Sequence, residues 1–223
     1  MKIVIAGGHG QIALFLGQQL AAAGHQPVGL IRKPGQQDEL RSRGIAPVLL
    51  DIENSSVDQL AQALIGAEAV VFAAGAGPNS GAARKDSVDR AGSVLLADAA
   101  EQAGVRRFVQ ISSMGADSVR AGSRPDGIDD EFYAYLVAKL GAEEDLVARS
   151  GLDWTILRPG RLVDDAGTGR VLLAEQTGRG SVPRADVASV VAELLLAGAG
   201  VGQVVELISG DTPIAEAVGA LTA

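Results

Sequence analysis

The segment Ile3-Val-Ile-Ala-Gly7-Gly8-His9-Gly10-Gln11-Ile12-Ala13 limits what this chain can fold into more than any other stretch. Ile3, Val4 and Ile5 read as a buried strand. Three glycines follow within four positions, and Leu14, Phe15, Leu16 and Leu20 then supply the apolar face of a helix reaching about Ala23. A strand, a glycine turn and a helix in that order make a phosphate cradle. Glycine lets the backbone turn tightly and lets an anion approach the free N–H groups of the helix start, whose partial positive charge favours it. The spacing Gly7-x-x-Gly10-x-x-Ala13 gains its meaning from this placement at the head of a βαβ series. Gly8 adds to the turn, and His9 at its tip reads as a solvated residue near the phosphates. Gln11 and Ile12 open the helix and should face the same anion.

The rest of the chain continues the alternation. Strands are expected at Pro27 to Ile31, Ile45 to Leu50, Ala69 to Ala74, Arg107 to Ile111, Trp154 to Leu157 and Val204 to Ile208, with a short one at Val171 to Ala174. Helices are expected from about Ser55 to Leu64, Ala82 to Ala103, Glu131 to Ser150 and Pro183 to Ala197. This order implies an α/β fold with a single doubly wound parallel sheet. At 223 residues, without a linker or internal repeat, it forms one domain spanning 1–223. The composition agrees: 47% of residues are hydrophobic but 3% aromatic, so Ala, Val, Leu and Ile must fill the core between helices and sheet.

Several function classes fall away. The chain has no cysteine and two histidines, which excludes disulfides, a thiol nucleophile and a His-rich metal site; no metal is expected. The formal net charge is −8 and no basic run is visible, which argues against nucleic acid as a partner. No apolar run reaches membrane-span length and no signal peptide precedes the first strand, so no membrane partner and a cytoplasmic location are expected. The partner that remains is a small-molecule substrate, with the chain acting as a monomer or homodimer.

In doubly wound sheets the ligand sits beyond the carboxyl ends of the strands. Those ends are Gly7, Arg32, Asp51, Ala73-Ala74-Gly75, Ser112-Ser113 and Pro159-Gly160. An NAD site normally places an acid at the end of the second strand, where it bonds the ribose hydroxyls. Here that end reads Leu30-Ile31-Arg32-Lys33. A guanidinium can grip a 2′-phosphate with two bonds, so NADP is favoured over NAD. Asp51 and Ile52 can reach the adenine amino group and cover its ring; alternatively, Asp51 caps the next helix.

Tyr135 and Lys139 lie four apart, on one face of the helix after the fifth strand. A free phenol titrates near 10, and bringing one towards 7 takes about 4 kcal/mol. A lysine charge about 5 Å away supplies roughly 3 kcal/mol at an effective dielectric of 20. The pair can therefore make a general acid or base, and Ser113 can hold the substrate oxygen beside it. Tyr133, on another helix face and without such a lysine, reads as part of the helix start. Arg120 to Asp130 and Asp164 to Gly169 read as loops, the first a candidate lid. Glu143-Glu144-Asp145 reads as an exposed helix face.

These residues, together with Phe72-Ala-Ala-Gly75, Gly104-Val-Arg-Arg-Phe-Val109 and Thr155-Ile-Leu-Arg-Pro-Gly160, resemble the atypical short-chain dehydrogenase/reductases, close to NmrA-like and biliverdin-reductase-B-like proteins. The resemblance spans nearly the whole chain and implies a Rossmann domain with a small C-terminal extension on the substrate side. It implies that Tyr135 gives or takes a proton, that Lys139 lowers its pKa and binds the nicotinamide ribose, and that Ser113 orients the substrate. Pro159, Arg161 and Leu162 would contact the nicotinamide end. Ala13 stands where the family's turn has a third glycine, Met114 follows the serines, and the C-terminal part is short. The expected activity is NADP-dependent hydride transfer to or from a small carbonyl, alcohol or conjugated acceptor. The alternatives are a non-enzymatic NADP-binding sensor and, against the short C-terminal part, a sugar-nucleotide epimerase or dehydratase.

Overall fold

The computed structural model describes residues 1–77 and 79–222. The strands are β1 (Lys2–Ala6), β2 (Gln26–Ile31), β3 (Ala46–Leu49), β4 (Ala69–Phe72), β5 (Arg107–Ile111), β6 (Asp153–Pro159), β7 (Arg161–Val163), β8 (Arg170–Ala174), β9 (Ser181–Pro183), β10 (Gln203–Ser209) and β11 (Thr212–Pro213). Nine of them form one sheet in the order β11-β8-β10-β6-β5-β4-β1-β2-β3. From β3 to β10 all neighbours are parallel, while β8 runs antiparallel to β10 and β11 antiparallel to β8. The order reverses between β1 and β4, the switch point at which doubly wound sheets open a crevice. β7 and β9 form a separate parallel pair.

The helices are α1 (Gln11–Ala22), α2 (Gln37–Ser42), α3 (Val57–Leu64), α4 (Ala82–Arg84), α5 (Gly92–Ala103), α6 (Asp130–Val147), α7 (Arg184–Leu196) and α8 (Ile214–Gly219). Successive side chains of a strand point to opposite faces, and each face of the sheet has its own cover. Ile3 and Ile5 pack with Leu16 and Leu20 of α1 and Val187, Val190 and Val191 of α7. Val4, Val70 and Phe72 pack with Leu60 and Leu64 of α3, Leu96 and Ala100 of α5 and Leu146 of α6. No described helix is long and apolar enough to cross a membrane.

Local chemistry sets the element ends. Ser56 caps α3, its hydroxyl accepting from Gln59 N at 3.2 Å while the Gln59 side chain accepts from Ser56 N. Asp129 caps α6, accepting from Phe132 N at 2.7 Å. Gly104 closes α5 with φ +71°. The expected single helix from Ala82 to Ala103 is not uniform: Lys85–Ala91 is a π-helical stretch between α4 and α5. That widened turn buries Lys85, Val88 and Asp89, as π-turns often do beside sites. The small C-terminal extension is woven into the main sheet through β8, β10 and β11, and only β7 and β9 stand apart.

The exposed-face expectation is corrected at Glu143. Glu143 is not part of an exposed face; it is 3% exposed. Its carboxylate takes two bonds from Arg158, at 3.0 and 2.6 Å, and one from the Ser112 hydroxyl at 2.5 Å. Arg158 also pairs with Asp117 at 3.0 Å. A buried arginine in the apolar strand β6 needs a buried acid, and α6 supplies it. His9 likewise differs from a freely solvated residue, since its Nε2 lies 2.8 Å from Glu39 Oε2.

Candidate active site

A continuous crevice crosses the carboxyl ends of the strands in three stretches. The inner one, about 270 Å³, is bounded by Gly7, His9, Gly10, Arg32, Asp51 and Ile52, among others. The middle one, about 520 Å³, is bordered by Ile12, Lys85, Asp89, Ser112, Tyr135 and Lys139. Ala73, Ala74 and Gly75 border both. The outer one, about 740 Å³, shares Ser112, Phe132, Tyr135 and Leu162 with the middle one and adds Ser113, Pro159 and Arg161.

At the inner end the backbone leaves no room for side chains. Gly7 has φ +77°, and a Cβ there would lie 2.6 Å from Ala74 Cα; at Gly8 it would lie 2.6 Å from Gly29 Cα. Gly8 therefore packs β1 against β2 instead of bordering the crevice. The start of α1 beside this turn has no side-chain cap and no acid in its first turn. Its free N–H groups and bare glycine edge fit a pyrophosphate. The donor set therefore suits a dinucleotide: Gly7 and Gly10 border the inner stretch and Ile12 the middle one, while Gln11 borders neither.

Arg32 borders the inner stretch, but the Lys33 side chain does not; there the lining runs on to Gln36. Two residues not anticipated from sequence join it. Glu53 lies 3.9 Å from Arg32 and 2.8 Å from Arg84. The Arg84 hydrogen bond holds the Glu53 carboxyl below its ordinary value of 4.5, against the opposing effect of burial. The turn after β3 thus brings an acid beside the end of β2, paired to two arginines. Asp51 serves its own turn, accepting from Glu53 N at 3.1 Å and Asn54 Nδ2 at 2.9 Å, while still bordering the crevice.

In the middle stretch Tyr135 and Lys139 share one face of α6. Lys139 Nζ lies 5.6 Å from the centre of the Tyr135 ring and 5.7 Å from that of Phe72. It donates to Ile111 O at 3.2 Å and lies 3.2 Å from Asp89 Oδ1, a close ion pair that is not aligned as a hydrogen bond. Asp89 Oδ2 accepts from Ala76 N at 2.9 Å. Burial works against the Lys139 ammonium. Electrostatic interaction with Tyr135, then with Asp89 and Glu143, outweighs it and raises the lysine above its ordinary 10.5. A second buried cation, Lys85, lies 5.5 Å from the same phenol ring and pairs with Glu131 at 3.4 Å.

The two serines at the end of β5 part company. Ser112 is tied to Glu143 and borders both the middle and outer stretches. Ser113 borders the outer stretch, its hydroxyl donating weakly to Met114 O at 3.2 Å. Sequence reasoning missed Asp89, Lys85, Glu53 and Glu143. The signal for Glu143 was Arg158 standing in an apolar strand; Asp89 had none, because only the π-turn directs it inwards.

Fold and site together define a dinucleotide-binding Rossmann domain whose crevice is bordered by a tyrosine–lysine pair. The chain belongs to the NAD(P)H-binding family, whose pattern matches residues 7–197. It is 34% identical over 223 residues to the uncharacterized sugar epimerase YhfK of Bacillus subtilis, covering 98% of this chain and 99% of that one. Its fold is similar to a Bacillus halodurans structure solved as a candidate NAD-dependent epimerase/dehydratase. The TM-score is 0.89 at 37% identity, covering 99% of this chain and 100% of that one. It is also similar to ChuY, an anaerobillin reductase of Escherichia coli O157:H7, with a TM-score of 0.79 at 27% identity over 95% and 98% of the two chains. These findings agree with the resemblance to atypical short-chain dehydrogenase/reductases.

Proposed function

We propose that this protein is an NADP-dependent oxidoreductase acting on a small carbonyl, alcohol or conjugated acceptor, with Ser113, Tyr135 and Lys139 as its catalytic residues. The observation that carries this reading is the buried Lys139 ammonium held 5.6 Å from the Tyr135 ring at the edge of the crevice. The nicotinamide supplies or accepts the hydride when bound. In the reducing direction the Tyr135 hydroxyl gives its proton to the substrate oxygen, and Lys139 stabilises the phenolate left behind. Asp89 and Ile111 O keep the ammonium in place. Ser113 holds the substrate oxygen from the outer stretch, while the Glu143–Arg158 pair fixes α6 against β6. Arg32 and Arg84 favour NADP by meeting its 2′-phosphate, for which Glu53 is the competing anion.

NADPH and NADH are titrated against the pure protein, and NADPH oxidation is followed with carbonyls and quinones for wild type and Tyr135→Phe. Tighter NADPH binding and a large loss of turnover in the variant support the proposal. Equal binding of the two cofactors ends the cofactor assignment, and turnover that survives Tyr135→Phe ends the catalytic one. The names of YhfK and the Bacillus halodurans protein favour a second reading, an epimerase or dehydratase. Such an enzyme regenerates its cofactor each cycle, so it would convert a sugar nucleotide with no net NADPH oxidation.

A further inference from the structure

The three stretches of the crevice differ in charge. The inner one balances Arg32 and Arg84 against Asp51 and Glu53. The middle one balances Lys85 and Lys139 against Asp89, Asp129 and Glu131. The outer one is bordered by Arg161, Arg179 and Arg184 and by no acidic residue, in a chain whose net charge is −8. Arg184 is partly neutralised by Asp164 at 2.5 Å. The Arg161 and Arg179 side chains have no ion pair or hydrogen bond among the described residues.

The backbone presents these two arginines together. Arg161 N donates to Gly180 O at 2.9 Å, and Arg161 stands opposite Ser181 in the β7–β9 pair. A Cβ on Gly160 would lie 2.4 Å from Gly180 O, so only glycine allows the two segments to cross this closely. The same stretch is bordered by the apolar side chains of Met114, Ile128, Phe132 and Leu136. Phe132 is 44% exposed and its ring stacks on that of Tyr135, with centroids 5.8 Å apart and planes 29° from parallel.

We propose that the outer stretch binds a flat, apolar substrate carrying a carboxylate or phosphate, which Arg161 and Arg179 grip while the planar body lies against Phe132. The proposal rests on the oxidoreductase reading and names its substrate class. Guanidinium groups match both anions through paired N–H donors. A crevice of about 740 Å³ is of the size that accommodates small organic ligands. The anion at the arginine end leaves the opposite end of the substrate to face Ser113 and Tyr135. This assigns Arg161 to the substrate, in place of the nicotinamide contact implied by resemblance.

The test compares 4-carboxybenzaldehyde, 4-formylphenyl phosphate and the neutral methyl 4-formylbenzoate, by calorimetric binding to the protein loaded with oxidised NADP, which cannot reduce them, and separately by NADPH oxidation. At least one anion should bind about tenfold or more tightly than the ester, with the preference shrinking as salt rises. Which of the two does so identifies the group. Arg179→Gln should cut that preference about threefold, and adding Arg161→Gln should abolish it. An NADPH titration of Arg179→Gln checks that the variant is folded. Anions binding no better than the ester, no binding of any probe, or an unchanged preference in the double variant overturns the proposal. Turnover is read separately through Tyr135→Phe: an anion preference without NADPH oxidation contradicts the oxidoreductase reading and leaves the binding site standing.

Discussion

At the inner end of the crevice Gly7 and Ala74 meet backbone to backbone at the switch point of a nine-stranded sheet. At the outer end Arg161 and Arg179 stand on a three-residue strand and the turn before another. The inner and middle stretches pair every charge they bury, while the outer one leaves two cations open to whatever enters. The difference teaches where this molecule has freedom to change. Geometry at the cofactor end is fixed by the core, so substitutions there are felt by the whole fold. At the outer end the proposed substrate selectivity rests on exposed side chains whose exchange costs the fold little.

The largest effect should come from Lys139→Met. It strands the Asp89 carboxylate without its partner, and removing one member of a buried pair costs about 3–5 kcal/mol. Chemical denaturation should show that loss together with near-complete loss of turnover. A change under about 1 kcal/mol would break the comparison. Next is Gly7→Ala, where positive φ and the Ala74 backbone both oppose a methyl group. A cost of about 2–4 kcal/mol is expected, against about 1 for Gly178→Ala, whose φ is also positive but whose Cβ would meet nothing within 4 Å. Equal costs would show that the close approach to Ala74 does not matter.

Arg32→Ala should weaken NADPH binding about tenfold and leave NADH nearly unchanged, because only NADPH carries the 2′-phosphate that this guanidinium would grip. Glu53→Gln should shift selectivity the other way, by freeing both arginines. Arg184→Ala, which breaks an exposed pair with Asp164, should change stability by less than about 1 kcal/mol. Smallest of all is the acid limb. Glu53 and Asp153 are held below their ordinary 4.5 and 3.8, chiefly by hydrogen bonds from Arg84 and Arg106. Carboxyls lowered in the fold stabilise it above their unfolded pKa and lose that contribution as pH falls through the folded value. Thermal midpoints should therefore be flat from neutral pH to about 5 and decline below about 4.

The sheet was legible because strands buried on both faces read as apolar runs, and β5 falls at the residues expected. The glycine turn and the Tyr135–Lys139 spacing were legible because both are local. Glu53, Asp89 and Glu143 were not, because each acts through a partner distant in sequence: Arg32 and Arg84, Lys139, and Arg158. β7, β9 and β11 are two or three residues long, too short for periodicity to register. Resemblance implies a nicotinamide contact for Arg161, and no sequence spacing brings it near Arg179; the β7–β9 pairing does. Lys33 adjoins Arg32 in extended backbone, where successive side chains point to opposite sides, and it does not border the inner stretch.

The measurement closest to the central claim is NADPH oxidation by wild type and Tyr135→Phe with the same acceptor. Cofactor affinity is determined for both in parallel. The account predicts kcat falling by about 100-fold or more, with the dissociation constant for NADPH within about threefold of wild type. Turnover that persists in the phenylalanine variant at wild-type rate would contradict it.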